Sequence, residues 1–281
     1  MPVFLRPSHK LSQEDHDQIR ARLDEFYRKA NDYTAFQAVS NQVECWSIIA
    51  DSIKKRANKS SNPIRVLEVG CGRSGFSEYL KQQNIRETVD YHAQDVTDFN
   101  EAYLRQHADS LYIGDINDIR PARGFHIIFS TYVFEHVSDP LRHLDRLWSM
   151  LETADVLPSA LFIFSPRYDF PGYFPPSTRH LTFATRLRFL SIQVSAIFQA
   201  VCFGRYQFLI QSDVAAFHRN FFRDADALHW VSKYDIKAWA KAKSAHNVWY
   251  ILSTGRFLGK QWLIRNYATL SVELNRAEGS H

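Results

Sequence analysis

The chain has 281 residues, 45% of them hydrophobic and 14% aromatic, enough to bury a full core, which excludes intrinsic disorder and a disulfide-held miniprotein. Its 34 Lys and Arg against 30 Asp and Glu leave a formal charge of +4, and the single short basic cluster (Lys54, Lys55, Arg56, with Lys59 nearby) is too small for a dedicated nucleic-acid surface. Cys45, Cys71 and Cys202 show neither disulfide-framework nor metal spacing, no secretory apolar region opens the sequence, and no run of about 18 apolar residues occurs, so a cytoplasmic protein without integral membrane spans is expected.

Ser12 and Asp15 stand in capping-box relation before a helix whose apolar residues Ile19, Leu23, Phe26, Tyr27 and Ala30 share a face. A second helix carries Val39, Val43, Trp46, Ala50 and Ile53, and the two make an N-terminal helical cap over residues 1–60. From residue 61 onward, strands at Ile64–Val69, Val89–Gln94, Ser110–Ile113, Phe125–Ser130 and Ala160–Phe164 alternate with helical patterns. One helix has Phe76, Tyr79 and Leu80 inward. Another starts at Asp139 as N-cap with Pro140 first, and turns Leu141, Leu144, Leu147, Trp148 and Leu151 inward. This alternation predicts an α/β fold with a parallel sheet covered on both faces.

The loop from Pro166 to Pro176 is rich in proline and aromatics and reads as a lid within an elaboration at about 166–246. Leu187, Leu190, Val194, Ile197 and Val201 share a helical face, read as buried in the core or in a homodimer. A late strand is expected over Asn247–Thr254, and Leu263, Tyr267, Leu270 and Leu274 suggest a final helix. Glu278 to His281 resemble a purification-tag remnant.

The strongest chemical signal is Glu68-Val69-Gly70-Cys71-Gly72-Arg73-Ser74-Gly75. Glycines after a buried strand let the backbone turn sharply and let a ligand approach where a Cβ would collide. Glu68 sits inside the strand, where a carboxylate would repel a pyrophosphate on the following helix N-terminus. A carboxylate there suits a cationic ligand such as an amino-acid ammonium.

This segment resembles the first motif of class I S-adenosylmethionine-dependent methyltransferases, and the resemblance runs over roughly residues 64–166. It implies a Rossmann-like, doubly wound, mainly parallel seven-stranded sheet. It also implies that Glu68, Gly70, Cys71 and Gly72 cradle the cofactor tail, that Asp95 and Val96 hold the ribose, and that Asp115 and Ile116 receive the adenine. Ser130, ending the fourth strand, joins these cofactor contacts. S-adenosylmethionine is then the donor and S-adenosylhomocysteine the product. Two departures stand out: the third glycine falls one place late, at Gly75, and Thr153–Ser159 replaces the turn that often precedes the fifth strand.

In the ubiquinone-pathway branch a Glu-His pair like Glu135-His136 binds metal with a carboxylate three residues earlier. Tyr132 stands in that place here, so no metal site is expected. His180 and His136 are the candidate general bases, imidazole being the side chain that titrates near neutrality. Arg167, Tyr168 and Tyr173 are candidate substrate contacts. The expected reaction is methyl transfer to a small molecule, preferably the oxygen of a sugar or another hydroxylated metabolite. The alternatives are a non-catalytic S-adenosylmethionine or nucleotide binder and an NAD-dependent oxidoreductase.

Overall fold

The computed structural model describes residues 3–29, 38–152, 158–218, 222–250 and 269–276. Strand β1 is Leu5–Pro7 and helix α1 is Gln13–Lys29, followed by α2 at Val43–Ala57. Strand β2 is Ile64–Val69, with all six residues buried. After it come α3 (Phe76–Gln82), β3 (Val89–Asp95), α4 (Glu101–His107), β4 (Ser110–Ile113) and β5 (Ile127–Thr131). Helix α5 (Pro140–Ser149) leads to β6 (Ala160–Pro166), and α6 (Phe183–Phe203) to β7 (Leu209–Gln211). The described chain ends with β8 (His229–Trp230), α7 (Lys233–Ala242), β9 (His246–Trp249) and β10 (Thr269–Asn275).

The main sheet has seven strands in the order β4-β3-β2-β5-β6-β10-β9, parallel except for β10, which runs antiparallel to both neighbours. Buried strands alternate their side chains between two cores. Leu67, Val69 and Ile128 face one core, with Leu144, Leu147 and Trp239 packed on them. Val66, Ile127 and Phe129 face the other, beneath Trp46, Ile49 and Ile53 of α2. The expected Rossmann-like α/β class is therefore the observed one. Strand order reverses between β2 and β5, the switch point at which open α/β sheets hold ligands.

The caps form as their sequences direct. Ser12 Oγ accepts from the Asp15 amide at 3.1 Å while Asp15 Oδ2 accepts from the Ser12 amide at 3.0 Å. Asp139 accepts from the Arg142 amide at the start of α5.

Two expectations are corrected. Leu270 and Leu274 lie on β10, not on a helix; a spacing of four repeats on one face of a strand as well as of a helix, so periodicity alone does not separate the two. Leu263 and Tyr267 lie outside the described residues, as do Ala30, the 278–281 segment and the strand expectation beyond Tyr250. On α6 the buried face is Phe189, Gln193, Ala196 and Ala200, whereas Leu187, Val194 and Val201 are exposed, which overturns the core reading of that face and leaves the homodimer reading as it stood. The N-terminal segment also contributes a strand to a second sheet. β1 pairs with β7, which pairs with β8, in a second sheet of three strands joining the segment to the elaboration.

Candidate active site

A cavity of about 410 Å³ opens at the carboxyl ends of the parallel strands, within the roughly 300–1,000 Å³ typical of small-molecule sites. Its floor begins at Gly70. There φ is +64°, and an added Cβ would lie 2.6 and 2.7 Å from the two methyl carbons of Val133, so only glycine lets the β2 and β5 loops close on each other. Gln94 locks the bend, accepting from the Gly70 amide at 3.1 Å and donating to the Gly114 carbonyl at 2.7 Å.

Asp95 ends β3 with Oδ2 accepting from the Gly72 amide at 2.7 Å and Oδ1 from the Thr97 amide at 2.9 Å. Burial raises its pKa against those bonds. Asp115, just past β4, accepts from the Asn117 amide and side chain, each at 2.8 Å, and from Arg20 at 2.6 Å. Burial alone would raise Asp115, but the bonds from Asn117 and Arg20 outweigh it and hold the carboxyl below its ordinary value. Val96 and Ile116 line the wall beside these acids. Two carboxylates, a glycine bend and flanking apolar side chains form a donor set that fits a nucleoside carrying a diol, the cofactor class the sequence resemblance implies.

The far wall comes from the segment after β5. Tyr132 takes φ +57°, costly for a residue with a Cβ, and is held there by its amide donating to the Phe164 carbonyl at 2.7 Å. Burial pushes its hydroxyl up to about 12. His136 follows on a short 3-10 helix, Phe134–His136, with Nδ1 3.4 Å from Asp226 and Nε2 3.7 Å from Glu135. Burial opposes charge on this imidazole, but the carboxylates of Asp226 and then Glu135 prevail and raise its pKa above the ordinary histidine value. Glu135 is fully buried, which pushes it up to about 7, and its Oε2 accepts from Ser165 at 2.8 Å. Tyr27 of α1 donates to Asp226 at 2.7 Å.

Of the residues named from sequence, Gly70, Asp95, Val96, Asp115, Ile116 and His136 line the cavity. Glu68 lies behind the loop instead. Ser74 at 3.0 Å and Tyr91 at 2.6 Å each donate to one of its oxygens, and burial raises it to about 7. Cys71, Gly72 and Ser130 are likewise off the lining, Gly72 supporting Asp95 through its amide.

In this structure α1 roofs the cavity, and the loop after β6 is held away from it. Arg167 forks onto Asp169, at 2.8 and 3.0 Å through Nη2, and Asp169 also accepts from the Lys233 amide. Gln193 Nε2 lies within hydrogen-bond reach of the carbonyls of Tyr168, Phe170 and Tyr173, so the loop is tied to α6. Tyr168 and Tyr173 stack on each other within it, and Arg167, Tyr168 and Tyr173 stand away from the cavity.

His180 is elsewhere as well. Its Nε2 lies 3.0 Å from one oxygen of Asp213, and His218 lies 2.8 Å from the other. The three donor atoms fall within 4.8 Å of one another, as metal ligands do, but Arg22, 3.6 Å from Asp213, already sets a cation against that carboxylate.

Sequence reasoning missed Arg20, Gln94, Tyr132 and Asp226. One signal was available: Gln13, Asp17, Arg20 and Asp24 recur at helical spacing, as do His16, Arg20, Leu23 and Tyr27, and all of them line the cavity. The other three depend on contacts across 24 to 199 positions of sequence, from Gln94 to Gly70 and from Asp226 to Tyr27.

Comparison with known proteins agrees with this architecture. Residues 42–166 match the family described as methyltransferase domain, a match over less than half of the chain. The chain is 23% identical over 135 residues to malonyl-[acyl-carrier protein] O-methyltransferase 1 of Ilyobacter polytropus, a match covering 45% of this chain and only 46% of that relative. It superposes on the Burkholderia thailandensis 1,6-didemethyltoxoflavin-N1-methyltransferase, solved with bound 1,6-didemethyltoxoflavin and S-adenosylhomocysteine. That superposition has a TM-score of 0.53 at 10% identity and covers 95% of this chain and 91% of that one.

Proposed function

We propose that this protein is an S-adenosylmethionine-dependent methyltransferase acting on a small molecule, with a hydroxylated acceptor such as a saccharide as the preferred substrate class. The observation that carries the reading is the convergence of Asp95, Asp115 and His136 on one cavity whose floor is the Gly70 bend. The domain match and the ligand of the Burkholderia enzyme support the same choice of cofactor. When bound, the sulfonium supplies an activated methyl group.

The chain's own contribution is then positional. Asp95 and Asp115 orient the nucleoside, α1 excludes water, and the Tyr132–His136 wall holds the acceptor at attack distance. His136 takes the acceptor's proton, its imidazole fixed between Asp226 and Glu135. Calorimetric titration should show S-adenosylhomocysteine binding where NAD does not, and methyl label should pass from S-adenosylmethionine to a hydroxylated acceptor. Binding of NAD alone would overturn the reading. Product binding without turnover on any acceptor would reduce the protein to a cofactor binder.

A further inference from the structure

We infer that α6 is a docking face for the surface of an anionic lipid bilayer. Eight of the fourteen exposed large hydrophobic side chains among the described residues fall between Phe170 and Phe203. Six belong to α6: Phe183, Leu187, Val194, Phe198, Val201 and Phe203, with Phe183 76% and Phe198 56% exposed. Phe170 and Tyr173 add to them from the loop that Gln193 ties to the same helix. A soluble monomer rarely leaves so much apolar surface contiguous without using it.

Charge selects the occupant. From residue 170 to 212 the sequence has four arginines, Arg179, Arg186, Arg188 and Arg205, and neither Asp nor Glu. In an antiparallel two-fold pairing of this face with its own copy, the helix itself would bring arginines and no acid to the seam. A bilayer with anionic headgroups answers both features, accepting the apolar stripe while its phosphates pair with the arginines.

By length and composition α6 is the one helix among the described residues able to cross a membrane, but its place in the fold argues for lying on the surface. Phe189, Ala196 and Ala200 are buried against the protein and Gln193 holds the Tyr168–Tyr173 loop, so spanning would strip those contacts. Gly204, at φ +64°, ends the helix and turns Arg205 back beside it.

Vesicle flotation of the full chain tests the inference. Phosphatidylcholine vesicles containing roughly a third phosphatidylglycerol should carry the protein, and binding should fall at least about fivefold on pure phosphatidylcholine or in high salt. The exposed double variant Leu187→Glu/Phe198→Glu should lose about tenfold in binding with an unchanged unfolding midpoint, and Arg188→Glu/Arg205→Glu should behave the same way. Failure of the unmodified protein to float with the anionic vesicles overturns the inference whatever the variants do, and equal binding to neutral vesicles overturns its electrostatic half. A dimer in sedimentation equilibrium that Leu187→Glu/Phe198→Glu dissolves, without flotation, would make the occupant a second copy.

Discussion

The Arg20 guanidinium of α1 lies 2.6 Å from the Asp115 carboxylate beyond β4, joining roof and floor of the cavity across its mouth. Asp115 is also one of the two acids that, in the proposed function, orient the nucleoside. Under the proposed function, roof and ligand would share this carboxylate.

Arg20→Ala should raise affinity for S-adenosylhomocysteine several-fold, because the competing ion pair no longer has to break. The fold should lose no more than about 1 kcal/mol, since Arg20 is partly exposed and solvent screens the pair. Isothermal titration gives the first quantity and chemical denaturation the second. A fall in affinity would mean that Arg20 instead clamps the bound ligand.

Gly70→Ala should cost about 1–3 kcal/mol of stability and most of the cofactor affinity, because the new methyl meets Val133 and the left-handed backbone is strained as well. Adding Val133→Ala removes the collision and leaves the φ cost, so the double variant should recover part of the loss. Full recovery would show that the backbone conformation at Gly70 is unimportant.

The β2 to β6 half of the fold was legible because its signals are local: buried six-residue strands, an Asp139-Pro140 helix start, and a glycine bend two residues after an acid. The elaboration was not. On α6, Leu187, Val194 and Val201 carry a helical period that says nothing about which face the protein covers, and Gln193, whose polar amide would suggest exposure, is the buried one. Asp226 became a site residue only through a chain excursion that returns it beside His136 and Tyr27. His180 was drawn in by its imidazole and by the family-like stretch around it, and its partner Asp213, 33 positions away, holds it off the cavity.

Glu68 should make the protein less stable as pH rises from about 4.5 to about 7. Its folded pKa is raised from 4.5 to about 7, chiefly by burial. In that window the folded state keeps a proton the unfolded chain has released, so stability falls with pH by on the order of 1–3 kcal/mol. Glu135 and Asp235, both also pushed to about 7, act in the same sense. Glu68→Gln keeps polar contacts to Ser74 and Tyr91 without a charge, and it should flatten one share of that slope in denaturation curves taken at several pH values. An unchanged slope would mean that Glu68 ionises freely in the fold.

His136 and His180 are separated by the strongest of these tests. His136→Gln should lower turnover by about 10²–10⁴ while leaving S-adenosylhomocysteine affinity near its original value, whereas His180→Ala, outside the cavity, should leave turnover intact. Turnover should climb with pH through a pKa above the ordinary histidine value of about 6.5, because a base must first lose its proton and Asp226 makes that harder. Asp226→Asn removes that anion and should move the acid limb of the pH profile downward. Stability runs the other way: the ionic hold on His136 is complete below the ordinary value and is lost as pH rises through the raised one, so Asp226→Asn should cost most in mildly acidic solution. A pH profile that ignores Asp226→Asn, together with turnover lost in His180→Ala, would transfer the proton-accepting role to the Asp213 cluster.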